Sequence, residues 1–97
     1  MVKHMIVWNL KDGIDKEAVK AEIKKQLEDL VGKIDGLLEM NIIIEGLPSS
    51  SGDLMMDSSF ESADALKAYA VHPLHVAIAD GIVRPNTASR AAYDYEI

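Results

Sequence analysis

The first ten residues alternate. Val2, His4, Ile6, Trp8 and Leu10 share one face, and Lys3, Met5, Val7 and Asn9 share the other. A two-residue period of this kind predicts a β-strand over 2–10. Lys11, Asp12 and Gly13 then signal a turn. Asp15 is placed to cap a helix from about 16 to 32, along which Val19, Ile23, Leu27, Leu30 and Val31 form one apolar stripe. Gly32 or Gly36 would end it. The run 37–45 predicts a second strand, with Leu38, Met40, Ile42 and Ile44 on one face and Leu37, Glu39, Asn41, Ile43 and Glu45 on the other. A polar loop fills 46–53. A third strand is expected over 54–60, where Leu54, Met56, Ser58 and Phe60 share a face. Ser62 is suited to cap a short helix that carries Ala63, Leu66 and Tyr69 and stops near His72, because a residue before proline is pushed out of helical geometry. Pro73 is suited to open another helix over about 73–80. Residues 81–89 read as a connector. The last strand is expected over 90–97, with Ala91, Tyr93, Tyr95 and Ile97 on one face.

The order β-α-β-β-α-β predicts a ferredoxin-like α+β fold, in which one antiparallel sheet carries its helices on a single face. The length of 97 residues fits one domain over 1–97. The uncovered sheet face would expose Met5, Val7, Ile43 and the tyrosines of the last strand, and 48% of the chain is hydrophobic. Both features predict a homodimer that packs sheet face on sheet face. The formal charge of −6 argues against nucleic acid as a partner. The absence of cysteine excludes disulfides, thiolate catalysis and zinc–thiolate sites. No apolar run reaches membrane-spanning length, so a cytoplasmic protein without a membrane partner is expected.

The chemistry concentrates in "YAVHPLH", residues 69–75, which holds two of the three histidines. His75 falls in the first turn of the helix opened by Pro73, where the helix dipole disfavours an imidazolium. A neutral imidazole there suits a general base, and it also suits a residue that only closes the helix terminus. His72, before the proline, suits a junction residue that satisfies unpaired backbone groups. Pro73 interrupts the continuous helix that would let His72 and His75 share a metal, so neither a metal nor another cofactor is expected. Tyr69 is either a hydrogen-bond donor at a pocket edge or a core aromatic. His4 lies on the same strand face as Ile6 and Trp8. Asp57 faces the opposite side or pairs with a lysine. The lysines of the first helix alternate with glutamates and form a solvated face rather than a basic patch.

Three stretches carry a family resemblance: "VKHMIVWNLKDG", "SSFESADALKAYAVHPLHVAI" and "YDYEI". Together with the element order, they resemble the stress-responsive A/B barrel domain proteins, the dimeric α+β barrels. The resemblance implies the ferredoxin-like fold and a dimer whose two sheets form a barrel. The family includes a plant polyketide cyclase, olivetolic acid cyclase. By motif, its base and assisting tyrosine fall on His75 and Tyr69, and its early pocket histidine falls on His4. A further pocket histidine of the cyclase is replaced by Leu54, and the first helix here lacks the cyclase's tyrosine. Two functions follow. In the first, a small apolar or aromatic carbonyl compound binds in a cleft lined by His4, Ile6, Trp8, Leu54, Leu66 and His72. There His75 and Tyr69 would perform cofactor-independent proton transfer of the lyase or cyclase type. In the second, the chain is a non-catalytic stress-associated dimer whose histidines serve as helix-junction residues.

Overall fold

The computed structural model describes residues 1–97. Its elements are β1 (Val2–Leu10), α1 (Lys16–Glu28), β2 (Leu37–Ile43), β3 (Leu54–Phe60), α2 (Ala63–Val71), α3 (Pro73–Ile78), a widened π-type turn (Ala79–Val83), α4 (Arg84–Asn86) and β4 (Thr87–Glu96). The four strands form one antiparallel sheet in the order β2-β3-β1-β4. The α+β, ferredoxin-like arrangement expected from the pattern is present, with β1 between β3 and β4.

The alternation of β1 becomes the core. Val2, Ile6, Trp8 and Leu10 are buried on the helix-covered side, joined by Met40 and Ile42 of β2, Leu54, Met56 and Phe60 of β3, and Ile23 and Leu27 of α1. Asp15 caps α1 by accepting from the Ala18 amide at 3.1 Å, and Ser62 caps α2 by accepting from the Ala65 amide at 3.1 Å. Each satisfies a donor that has no partner inside its helix.

Four expectations are corrected. The first helix ends at Glu28 rather than at 32, and tight turns carry Leu30 and Ile34 into the core after it. Gly36 then takes φ +83°, and a Cβ there would lie 2.6 Å from the Ala65 Cβ, so the connection needs glycine for close approach as well as for its handedness. The second strand stops at Ile43, and its register shifts between Leu37 and Glu39. That shift buries Leu37 opposite Phe60 and turns Leu38 outward, reversing the expected phase. Finally, most of the 81–89 connector is helical. Gly81 is taken up in the widened turn, and Pro85 sits in the first turn of α4, where its missing N–H costs nothing. The strand β4 therefore begins at Thr87, three residues early.

The outer edge of β2 is closed by α1. Lys24 Nζ donates to the Ile42 carbonyl at 2.8 Å, and Glu28 Oε2 accepts from the Ile42 amide at 2.9 Å. The two side chains also pair with each other at 2.8 Å. One helix face thus occupies both backbone groups of an edge residue that would otherwise be open to another strand. Burial opposes the charge on Glu28, but the Lys24 ammonium and the Ile42 amide outweigh it and hold the carboxyl below its usual range.

We expect Glu28→Ala to destabilise the fold by about 1 kcal/mol, the scale of a charged hydrogen bond that is partly exposed. Chemical denaturation measures it. The loss should be larger than that of Glu22→Ala, whose carboxylate bonds only Gln26 on the exposed surface of the same helix.

Candidate functional site

A cavity of about 780 Å³ opens between the β1–β4 half of the sheet and the α2–α3 layer. Its size is that of a small-molecule site. Ile6, Trp8 and Met56 rise from the sheet, and Leu66, Ala79 and Val83 descend from the helical layer. The polar groups among them are His4, Tyr69, His75, Lys67, Arg84, Arg90 and Asp94, with Glu96 at one end.

Tyr69 sits on the buried face of α2 and is only 2% exposed. Its ring lies between Phe60, at 5.0 Å between centroids, and His75, at 4.2 Å. Its hydroxyl has no hydrogen-bond partner in the protein. Burial raises the phenol well above its ordinary pKa, against a weaker opposing pull from the Arg90 charge. The group is therefore a proton-bearing donor rather than a phenolate.

His75 reaches the cavity from α3. Its Nδ1 lies 3.2 Å from the Ala70 carbonyl, which can only accept, so Nδ1 carries the proton and donates. In the neutral ring, Nε2 is then the basic nitrogen. Burial lowers the pKa of His75. The Ala70 carbonyl opposes this, and the charges of Arg84, His4 and Arg90 reinforce it. Burial is thus the principal cause that favours the neutral imidazole expected at this position.

His4, 7% exposed, points its Nδ1 at the Asp94 carboxylate on β4 and meets the Phe60 ring edge-on at 6.2 Å. Asp94 fixes this ring toward β4. It was not among the residues singled out from the sequence, and neither were Lys67, Arg84 and Arg90. The signal was in the phase of β4. Trp8 pairs with Arg90, Ile6 with Ala92 and His4 with Asp94, so these residues share the cavity side, while the tyrosines take the other.

Of the residues expected in the cleft, the structure brings His4, Ile6, Trp8, Leu66, Tyr69 and His75 to one cavity. Leu54 and His72 are elsewhere. Leu54 is buried in the packed core, opposite Trp8 in the β1–β3 register, and the cavity wall on β3 is Met56 instead. His72 has the extended backbone imposed by Pro73, φ −66° and ψ 133°, and its Nδ1 accepts from the Leu74 amide at 3.1 Å. It caps α3. Both Nδ1 atoms of the HPLH segment are thus held by the backbone, and no three His, Cys, Asp or Glu side chains converge on a point that would hold a metal. No helix is long and apolar enough to cross a membrane.

Comparison with known proteins places this architecture. The chain is 32% identical over 82 residues to the stress-response A/B barrel domain-containing protein HS1 of Arabidopsis thaliana, a match covering 80% of this chain and 73% of that protein. Among solved structures, it is similar to a dimeric protein of unknown function with a ferredoxin-like fold from Bacteroides fragilis. That match has a TM-score of 0.89 and 31% identity, and covers 99% of this chain and 95% of the other. A dimeric ferredoxin-like protein of unknown function from Thermobifida fusca shares the fold, with a TM-score of 0.85, 22% identity and coverage of 99% and 90%. The stress responsive A/B barrel domain pattern itself runs through residues 2–97, nearly every position of the fold described above, and the chain belongs to that family.

Proposed function

We propose that residues 1–97 act as one A/B barrel domain, a cytoplasmic homodimer joined through its open sheet faces. In this reading each cavity binds a small apolar or aromatic carbonyl compound, with His75 as general base. The observation that carries it is the Tyr69 hydroxyl. It is a nearly fully buried donor without a protein partner, beside a neutral imidazole, in an apolar cavity. A buried donor left unpaired costs stability, so its retention fits a group that a ligand completes.

The chemistry follows from the two protonation states. A carbonyl oxygen placed at the Tyr69 hydroxyl accepts its hydrogen bond. The adjacent C–H then gives its proton to His75 Nε2, and the bonding pair becomes the enolate π system. The Tyr69 O–H strengthens as charge gathers on that oxygen, and the proton returns from His75 in the reverse or following step. His4, held by Asp94, offers its remaining ring edge to the ligand, and Ile6, Trp8 and Leu66 receive the apolar body. No cofactor enters this scheme. The dimer is supported by the exposure of Val7, Ile43, Tyr93 and Tyr95 on the uncovered face and by the dimeric state of the similar solved structures.

Proton exchange and stability test this reading. Acetophenone in D₂O should exchange its methyl protons faster with the protein than with buffer, by NMR. His75→Ala should abolish the acceleration, and Tyr69→Phe should reduce it at least tenfold. Tyr69→Phe should at the same time raise the stability of the ligand-free protein by about 1 kcal/mol, because it removes an unpaired buried hydroxyl. Exchange at the buffer rate, with both variants merely less stable, would favour the histidines as junction residues.

His75 also sets a pH dependence. Burial makes the folded state bind its proton less well than the unfolded chain does, so stability rises with pH across this titration. The contribution is intact above about pH 6.5, where an unfolded histidine is neutral, and is lost as pH falls below it. His75→Asn, which keeps a donor for the Ala70 carbonyl, should flatten that acid-side decline in melting temperature.

For the dimer, light scattering should give twice the chain mass of 10.6 kDa. A Val7→Lys, Tyr93→Glu double variant should give the single mass with its circular dichroism retained. Wild-type protein at the single mass throughout the micromolar range would refute the sheet-face dimer.

A further inference from the structure

We propose that the cavity's ligand carries a carboxylate, bound by Arg90, so that the protein takes apolar or aromatic carboxylic acids in preference to their neutral analogues. This rests on the reading of the cavity as a small-molecule site and specifies the class of molecule.

Some of the charges around the cavity are paired, while Lys67, Arg90 and Glu96 make no ion pair. Asp94 faces His4, and Arg84 pairs with Asp80. Arg90 has no acidic group within ion-pairing distance and makes no side-chain hydrogen bond, although it borders the cavity beside Trp8. Composition does not force this. Acidic residues outnumber lysine and arginine 16 to 10, so an unpaired arginine here is a local arrangement rather than a shortage of anions. A guanidinium presents a planar fork of donors that matches a carboxylate.

The second observation is Tyr69, which borders the same space and whose buried hydroxyl has no partner. Tyr69, His75 and Arg90 all border this one cavity. Polarity along β4 gives the ligand a direction. Arg84 and Arg90 lie at one end, and Asp94 and Glu96 at the other, with about 13 Å of strand between residues 90 and 94. An anion is drawn to the arginine end and repelled from the carboxylate end. The apolar body then lies over Ile6 and Trp8, within reach of Tyr69 and His75. The exposed Tyr93 of the uncovered face takes no part in the cavity lining.

The test compares 4-phenylbutyrate with 4-phenylbutanamide, which differ only in the charged group, by isothermal titration calorimetry and by NMR shifts of Trp8. The acid should bind about tenfold more tightly than the amide, the ratio expected for a charge-assisted pair. Arg90→Gln should lower the affinity for the acid to that for the amide, and Arg90→Lys should retain part of the preference. Since the exposed Arg90 side chain makes no hydrogen bond or ion pair, its variants should keep the wild-type melting temperature. Equal binding of acid and amide, or a preference that survives Arg90→Gln, would overturn the proposal. In either case binding that moves Trp8 and depends on Tyr69 would leave the small-molecule reading standing. Binding of neither compound would count against both.

Discussion

Strand β1 has two neighbours, and the rest of the molecule depends on that. Because β3 and β4 both pair with it, its inward residues are surrounded on the sheet before any helix covers them. Val2, Ile6, Trp8 and Leu10 anchor the core, and His4 enters the same row with Asp94 beside it on β4. One strand thus supplies both the packing that stabilises the fold and part of the cavity wall. A shift of β1 by one residue would exchange the two faces, putting Lys3, Met5 and Val7 under the helices and the histidine outside. The core and the site hold register together.

The sequence pattern was legible wherever one constraint acted alone. Alternation in β1 and β3, the Asp15 and Ser62 caps, and the Pro73 restart all appear where the pattern placed them. The pattern failed where local and tertiary demands differ. At Leu37 and Leu38 two adjacent leucines fit either phase, and only the shift against β3 decides which is buried. At Gly81 and Pro85 two helix breakers lie where a widened turn and a first-turn position absorb them. The site was partly legible for a related reason. His4, Tyr69 and His75 stand out by type. Arg90 and Asp94 become site residues only through the phase of β4, which the tyrosines on the alternate positions already implied. His72 shares its motif with His75 but is held at the helix start by the Leu74 amide. Two histidines three residues apart therefore do different work.

Burial in the cavity also bears on protonation states. The same burial acts in opposite directions on two neighbouring rings, holding the proton on Tyr69 and keeping it off His75. Their stacking at 4.2 Å makes the two effects one arrangement, since each ring helps exclude water from the other. Backbone geometry completes it, because the Ala70 carbonyl selects which imidazole nitrogen is basic. A phenol held in its protonated form and an imidazole held toward its neutral form thus stand side by side.

Strand β4 stands between the cavity and the uncovered sheet face. Its alternate residues send Arg90, Ala92 and Asp94 toward the cavity, and Ala91, Tyr93 and Tyr95 toward the uncovered face. In a domain of this size, a ligand site and an oligomer interface on one surface would compete for the same few side chains. The two-residue period of an extended strand removes the competition, because neighbouring residues cannot point the same way. The layered order does the remainder, since helices fill one face of the sheet and leave a hollow there, while the bare face keeps the apolar and aromatic surface that association needs. The register shift that β4 carries lies between Thr87 and Ser89, ahead of Arg90; a second bulge between Arg90 and Asp94 would undo this separation more thoroughly than the loss of any one side chain, by turning the residues beyond it to the opposite face.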